Sequence, residues 1–359
     1  MKKKFVEDKL LLFLPIFILL FISLLNMYQI RNMEAYDNYL FKQSLWFVLG
    51  FGVLIIFSFL KPKLFFRYSK YLYLGNVLLL ILVLFFGTTI NGSKAWFRFS
   101  FFSFQPSELM KFTLAIYLSQ VLAHEKSVGM KQEFKVILKA LFITIIPSLF
   151  VFLEPDTGAI IIYFLIMLGM ILVYHINMRW YLILGGVLVL FLGVFGYLYY
   201  FKQDLLIDMI GTSFFYRMDR ILTFVNNDSF QLNRALISIG TANFFSGSTG
   251  VYIPEAPTDF IVALSISNLG IISFILILIC FFWLDFYFLI RLFQTKNKQY
   301  QLFIAGFLAM FLFAQIENIG MNLGLLPIIG LPLPFVSYGG TNIIVYFMFL
   351  GILMNLKKN

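Results

Sequence analysis

Hydrophobic positions along this chain come in long unbroken blocks rather than alternating with polar ones. Windows of about 20 apolar residues, the length a helix needs to cross a bilayer, fall at 10–28, 43–60, 71–90, 107–124, 136–153, 157–176, 180–200, 260–290, 300–320 and 339–356. The pattern predicts an all-α polytopic membrane protein of about ten transmembrane helices, organised as one transmembrane domain over 1–359. Two stretches break the rhythm. Residues 201–258 form one long polar loop, and 320–342 are apolar but crowded with glycine and proline. Backbone broken in that way has unpaired amides that lipid cannot satisfy, so the segment must pack inside protein or line a wet cavity.

Composition agrees and narrows the class. Hydrophobic residues make up 61% of the 359, charged residues 12%, and there are 47 phenylalanines, which no soluble core of this length would use. The lone cysteine, Cys280, excludes an intrachain disulfide and a thiolate metal cluster. Lys2-Lys3-Lys4 precede an apolar run without an Ala-x-Ala cleavage site, which reads as a first spanning helix. Most of the 27 Lys and Arg residues fall on one set of alternating connections. By the positive-inside rule both termini are then cytoplasmic, and 201–258 is extracytoplasmic. The net charge of +10 reads as topology and contact with anionic membrane lipid, with no call for nucleic acid.

The chemistry gathers on the outer side. Tyr252-Ile253-Pro254-Glu255-Ala256-Pro257-Thr258-Asp259-Phe260 closes the long loop and sets two carboxylates four residues apart before an apolar run. Carboxylates at a membrane boundary are costly to desolvate and mark places where charge or protons are handled, so Asp259 is the expected working residue. Gln105-Pro106-Ser107-Glu108 with Lys111 opens another apolar helix; Glu108 and Lys111, three apart, form either a helix-stabilising ion pair or part of a polar cavity wall. Asp156, in Glu154-Pro155-Asp156-Thr157-Gly158, either caps the next helix or joins Glu154, Glu255 and Asp259 around a hard divalent cation.

Trp96 reads as an interfacial anchor or a site residue, with Arg98 close behind it. In the long loop, Arg217 and Arg220 suit a pyrophosphate-bearing lipid or simply balance Asp219, and Gln231 follows. The broken segment offers Ser337, Gly339 and Gly340.

Taken in order, Asn91-Gly92 with Trp96, Gln105-Pro106-Ser107-Glu108 with Lys111, Pro155-Asp156 with Gly158, Pro254-Glu255-Ala256 with Thr258-Asp259-Phe260, and Gly324-Leu325-Leu326-Pro327 through Gly330-Leu331-Pro332-Leu333-Pro334-Phe335 to Ser337-Tyr338-Gly339-Gly340 are similar to blocks of the SEDS family of bacterial envelope proteins (shape, elongation, division and sporulation). The RodA-like branch is slightly preferred over the FtsW-like one. The resemblance implies a peptidoglycan glycosyltransferase that polymerises lipid II outside the bacterial cytoplasmic membrane. It further implies a divalent cation (Mg or Mn) and a class B penicillin-binding protein as partner. It places the essential aspartate at Asp259, the charged pair at Glu108 and Lys111, and the sensitive tryptophan at Trp96. Asp259 and Glu255 are then the candidate metal ligands, with Thr258 in the same block.

The sequence departs from the family at Pro257, where histidine is usual, and at Ser267-Asn268, where an acidic pair is common. Asp259 is expected either to act as general base or to hold metal or orient the acceptor. Competing readings are a lipid II or other polyprenyl-lipid flippase, another outer-face glycan polymerase or ligase, and a structural scaffold.

Overall fold

The computed structural model describes residues 2–33, 36–90, 93–99, 102–125, 129–202, 204–205, 229–247 and 252–356. Among them, seven helices are long and apolar enough to cross a membrane: Leu11–Ile30 within α1 (Lys2–Ile30), α2 (Tyr39–Phe59), α4 (Ser69–Phe86), α6 (Met130–Leu153), α7 (Thr157–Tyr174), α11 (Ile271–Gln294) and α12 (Lys298–Asn322). Three more helices occupy expected spans: α5 (Pro106–His124), α8 (Met178–Phe201) and the shorter α13 (Gly340–Asn355). A one-and-a-half-turn helix, α3 (Pro62–Arg67), links α2 to α4, and α9 (Phe230–Thr241) lies in the long loop.

Helix α12 is the most enclosed of the seven and packs along α7, with Gly169 against Ala305 and Ala309. Small residues let two backbones approach where lipid gives no hydrophobic drive for helices to associate. Around α12 and α13, Phe303, Phe307, Phe311, Tyr346, Phe347 and Phe349 are buried as one aromatic core. Phe335 of the broken segment enters that core, 5.4 Å from Tyr346 and 5.7 Å from Phe347 between ring centroids. These contacts hold it at φ 62°, a conformation that costs a non-glycine residue energy.

Two features depart from the sequence pattern. The expected span 71–90 stops at Phe86, and its end becomes a small antiparallel sheet of β1 (Thr88–Ile90), β2 (Ser93–Arg98) and β3 (Ser103–Phe104), in that order. The expected single span 260–290 is two helices, α10 (Ile261–Leu269) and α11, broken at Gly270. Gly270 sits at φ 83°, and a Cβ there would lie 2.7 Å from the Phe244 carbonyl oxygen. The amides of Ile271 and Ile272, which the break frees, donate to the carbonyls of Asn243 and Phe244, both at 3.1 Å. The loop therefore caps α11 in place of a preceding turn.

The segment between α12 and α13 has no regular secondary structure over 325–339 beyond turns, and its Leu331 and Leu333–Ser337 are buried in protein while Leu325 is exposed. Side chains satisfy its backbone. Asn318 donates from Nδ2 to the Leu331 carbonyl at 2.8 Å, and Ser337 Oγ accepts the Leu333 N–H at 2.9 Å. Asn322 Oδ1 accepts the N–H of Ala263 at 2.9 Å, capping the start of α10. Asn322→Leu removes that acceptor inside protein; the expected cost is about 1–3 kcal/mol, read as a lower unfolding midpoint of the detergent-solubilised protein.

Candidate functional site

The site is built on the turn that ends the long loop. Glu255 adopts φ 52°, and its carbonyl accepts the N–H groups of Thr258 (3.2 Å), Asp259 (3.0 Å) and Phe260 (3.3 Å). Thr258 Oγ1 donates to the same carbonyl at 3.1 Å and lies 3.3 Å from Glu255 Oε2. This knot places Asp259 half-buried at the mouth of α10, with Glu255 exposed beside it. From α12, Asn318 and Asn322 both donate to the Asp259 carbonyl, at 2.9 and 3.0 Å.

The broken segment closes over the turn from the other direction. Ser337 Oγ donates to the Thr258 carbonyl at 2.6 Å and the Tyr338 N–H to the Pro257 carbonyl at 2.8 Å. Gln43 of α2 donates to the Ser337 carbonyl at 3.2 Å. Gly330 has φ 83°, and a Cβ on it would lie 3.2 Å from Oδ2 of Asp259. Glycine is therefore needed there both for its conformation and for the space that the carboxylate uses.

A second polar centre lies at the start of α5 and α7. Glu108 and Lys111 form a buried ion pair of 2.6 Å, which is the pairing their spacing allowed. Asp156 is a helix cap: Oδ1 accepts the Ala159 N–H at 3.0 Å, while Oδ2 accepts from Gln105 Nε2 at 3.0 Å and Ser107 Oγ at 3.1 Å. Thr341, at the start of α13, accepts the Gln105 N–H at 3.1 Å. Residues 337–341 thus reach from the Asp259 turn to this second centre.

Among the described residues no three His, Cys, Asp or Glu side chains gather as a metal site, so the expected convergence of Glu154, Asp156, Glu255 and Asp259 around one cation does not occur. The physical reason is that Asp156 is saturated by its cap and by Gln105 and Ser107. Glu154 is fully buried and turned away from solvent. Asp259 and Glu255 lie on one turn, and their carboxylates are oxygen donors of the type a hard divalent cation prefers.

Other expected residues are placed as follows. Trp96 is half-buried on β2 opposite Thr88, and Arg98 is exposed opposite Ser103. Gln231 is half-buried in the first turn of α9, a helix whose Leu232 and Leu236 side chains face Gly324. Gly339 and Gly340 begin α13, with the Trp46 ring lying over Gly340. Arg217, Arg220 and Asn91-Gly92 lie outside the described residues.

Sequence reasoning missed three acids. Glu154 was noted only as a member of the metal group, yet it is a fully buried carboxyl with neither oxygen hydrogen-bonded. Asp285 of α11 meets Gln315 of α12 at 3.0 Å, in a cavity of about 1200 Å³ that is lined mainly by apolar side chains and does not include Asp259. Glu317 of α12 is fully buried next to Asn318. The usable signal for the last two was an acid inside an apolar span.

These features define a class before any comparison is made: a multi-pass membrane protein with a clamped, solvent-reachable aspartate where a loop meets its helices. A family model described as "Cell cycle protein", for FtsW, RodA and SpoVE, matches residues 7–359. The chain belongs to this family, the SEDS proteins. It is 31% identical to the probable peptidoglycan glycosyltransferase FtsW of Coxiella burnetii, over 89% of this chain and 86% of that one. With the protein of the same name from Wigglesworthia glossinidia brevipalpis it shares 32% identity, over 98% and 95%.

The fold is that of a solved peptidoglycan synthase complex chain (TM-score 0.79, 23% identity, 95% and 96% covered). It is also that of the rod shape determining protein RodA of Thermus thermophilus (TM-score 0.67, 23% identity, 95% and 94% covered). FtsW-named and RodA-named proteins both match, so the slight preference for the RodA-like branch carries no weight.

Burial, and secondarily the nearby Asp156, push the Glu154 carboxyl from 4.5 up to about 9. Between those values the folded protein holds a proton that the unfolded chain has lost, so stability is greatest at acidic pH and falls as pH rises toward 9. Glu154→Gln, neutral throughout, is expected to flatten that slope and to melt higher than wild type at pH 8, as followed by thermal unfolding across the pH range.

Proposed function

We propose that this protein is a peptidoglycan glycosyltransferase that polymerises lipid II in the bacterial cytoplasmic membrane during cell elongation or division. The observation that carries the reading is Asp259, a partly buried acid on a turn clamped by Asn318, Asn322, Ser337 and Gly330, in a chain whose curated relatives bear that activity in their names. The distribution of basic residues supports cytoplasmic termini and an extracytoplasmic Asp259.

In the reaction, the 4-hydroxyl oxygen of the acceptor sugar attacks the anomeric carbon of the donor. A C–O bond forms there as the bond to the polyprenyl pyrophosphate breaks. Asp259 accepts the hydroxyl proton, and the pyrophosphate leaves with the electron pair. A divalent cation held by Asp259 and Glu255 would supply positive charge for the pyrophosphate oxygens. Lys111 is already neutralised by Glu108 and serves to hold the start of α5.

A class B penicillin-binding protein is the partner this reading calls for. One structural relative is a peptidoglycan synthase complex that coordinates polymerization with crosslinking.

The test is polymerisation of purified lipid II by the protein with its class B partner. Asp259→Ala is expected to lose about 100- to 10,000-fold in rate, and removal of divalent cation is expected to stop wild type. If wild type makes no polymer while it and Asp259→Ala both carry labelled lipid II across vesicle membranes, the protein is a transporter and the reading is wrong.

A further inference from the structure

Glu317 is a buried acid that this reaction scheme leaves unused. It is inaccessible to solvent in α12, next to Asn318, whose amide holds the carbonyls of both Asp259 and Leu331. Its Oε1 accepts the N–H of Ile329 at 3.2 Å, and its Oε2 has no hydrogen-bond partner. Directly after that amide the chain turns at Gly330, whose φ of 83° suits glycine. The same turn meets Asp259: the place of a Gly330 Cβ is 3.2 Å from Asp259 Oδ2.

Burying a carboxyl with an open oxygen costs free energy that an apolar side chain of similar size would avoid. Packing of α12 alone gives no reason for an acid at this position. The geometry does give one, since the carboxyl accepts a hydrogen bond from the turn that borders the Asp259 side chain.

We propose that Glu317 is a positioning residue: by accepting the Ile329 N–H inside the bundle it fixes the Ile329–Gly330–Leu331 turn, whose Cβ-free face sets the Asp259 carboxylate for the reaction. This rests on the assignment of Asp259 as the reacting carboxylate. The role needs an acceptor oxygen rather than a charge, so glutamine should replace glutamate and leucine should not.

The experiment compares Glu317→Gln, Glu317→Leu, Gly330→Ala and Asp259→Ala in complex with the class B partner. It measures kcat and KM for lipid II together with the unfolding midpoint. Glu317→Gln is expected to keep kcat close to wild type. Glu317→Leu is expected to lose about 100-fold in kcat with KM unchanged, the scale set by displacing a catalytic group by about 1 Å.

Gly330→Ala leaves Glu317 untouched and presses on Asp259 directly, and it is expected to show the same loss. This second variant keeps the test open where the leucine variant does not fold. Wild-type kcat in folded Glu317→Leu or in Gly330→Ala overturns the proposal, and so does an equal loss in Glu317→Gln and Glu317→Leu. Wild-type turnover by Asp259→Ala overturns instead the assignment on which the proposal rests.

Discussion

The constraint behind the site is that backbone leaving helical geometry inside a membrane protein must find its hydrogen bonds without water. Asn318 and Asn322, one turn apart on α12, meet it for two chain segments at once, binding the Asp259 and Leu331 carbonyls and the Ala263 amide. A single rigid helix thereby becomes the reference frame for the Asp259 turn, the start of α10 and the Pro/Gly-rich stretch. Ser337 and Gln43 tie the last of these to the same turn and to α2. The loop that carries Asp259 is therefore held by α12 and by a segment that α12 also holds.

The two polar centres differ in how they tolerate charge. Glu108 and Lys111 neutralise one another in a contact of 2.6 Å, and Asp156 is saturated with donors. Asp259 keeps its side chain partly open to solvent while its backbone is pinned. The first centre is held by its side chains, the second by backbone hydrogen bonds to the residue that bears the carboxylate.

What the sequence showed, it showed where composition and topology act over many residues. The long apolar blocks, the polar loop ending at Asp259 and the burial of 333–337 follow from hydropathy and from the number of helix breakers in Gly324–Gly340. Short-range features were hidden. Strands of three, six and two residues carry too little alternation to compete with the apolar run before them. The break at Gly270 depends on carbonyls of Asn243 and Phe244, a contact between segments that no local pattern encodes. Asp156 was offered as cap or ligand, and the choice hung on Gln105 and Ser107 arriving from another helix. Glu317 was legible as an acid inside an apolar span, but its partner, the amide of Ile329, lies beyond a helix end and a turn.

The restart of the chain at Gly270 has a mechanical consequence. Because the first amides of α11 are bound by the loop at Asn243–Phe244, the upper end of that helix is gripped as a shaft is gripped by a collar, and its rotation about its own axis is referred to the loop. Farther along the same shaft, Asp285 reaches Gln315 on α12, the helix that bears Asn318 and Asn322. Hydrogen bonds at its start and farther along its length thereby tie α11 both to the loop at Asn243–Phe244 and to the helix that holds the Asp259 turn.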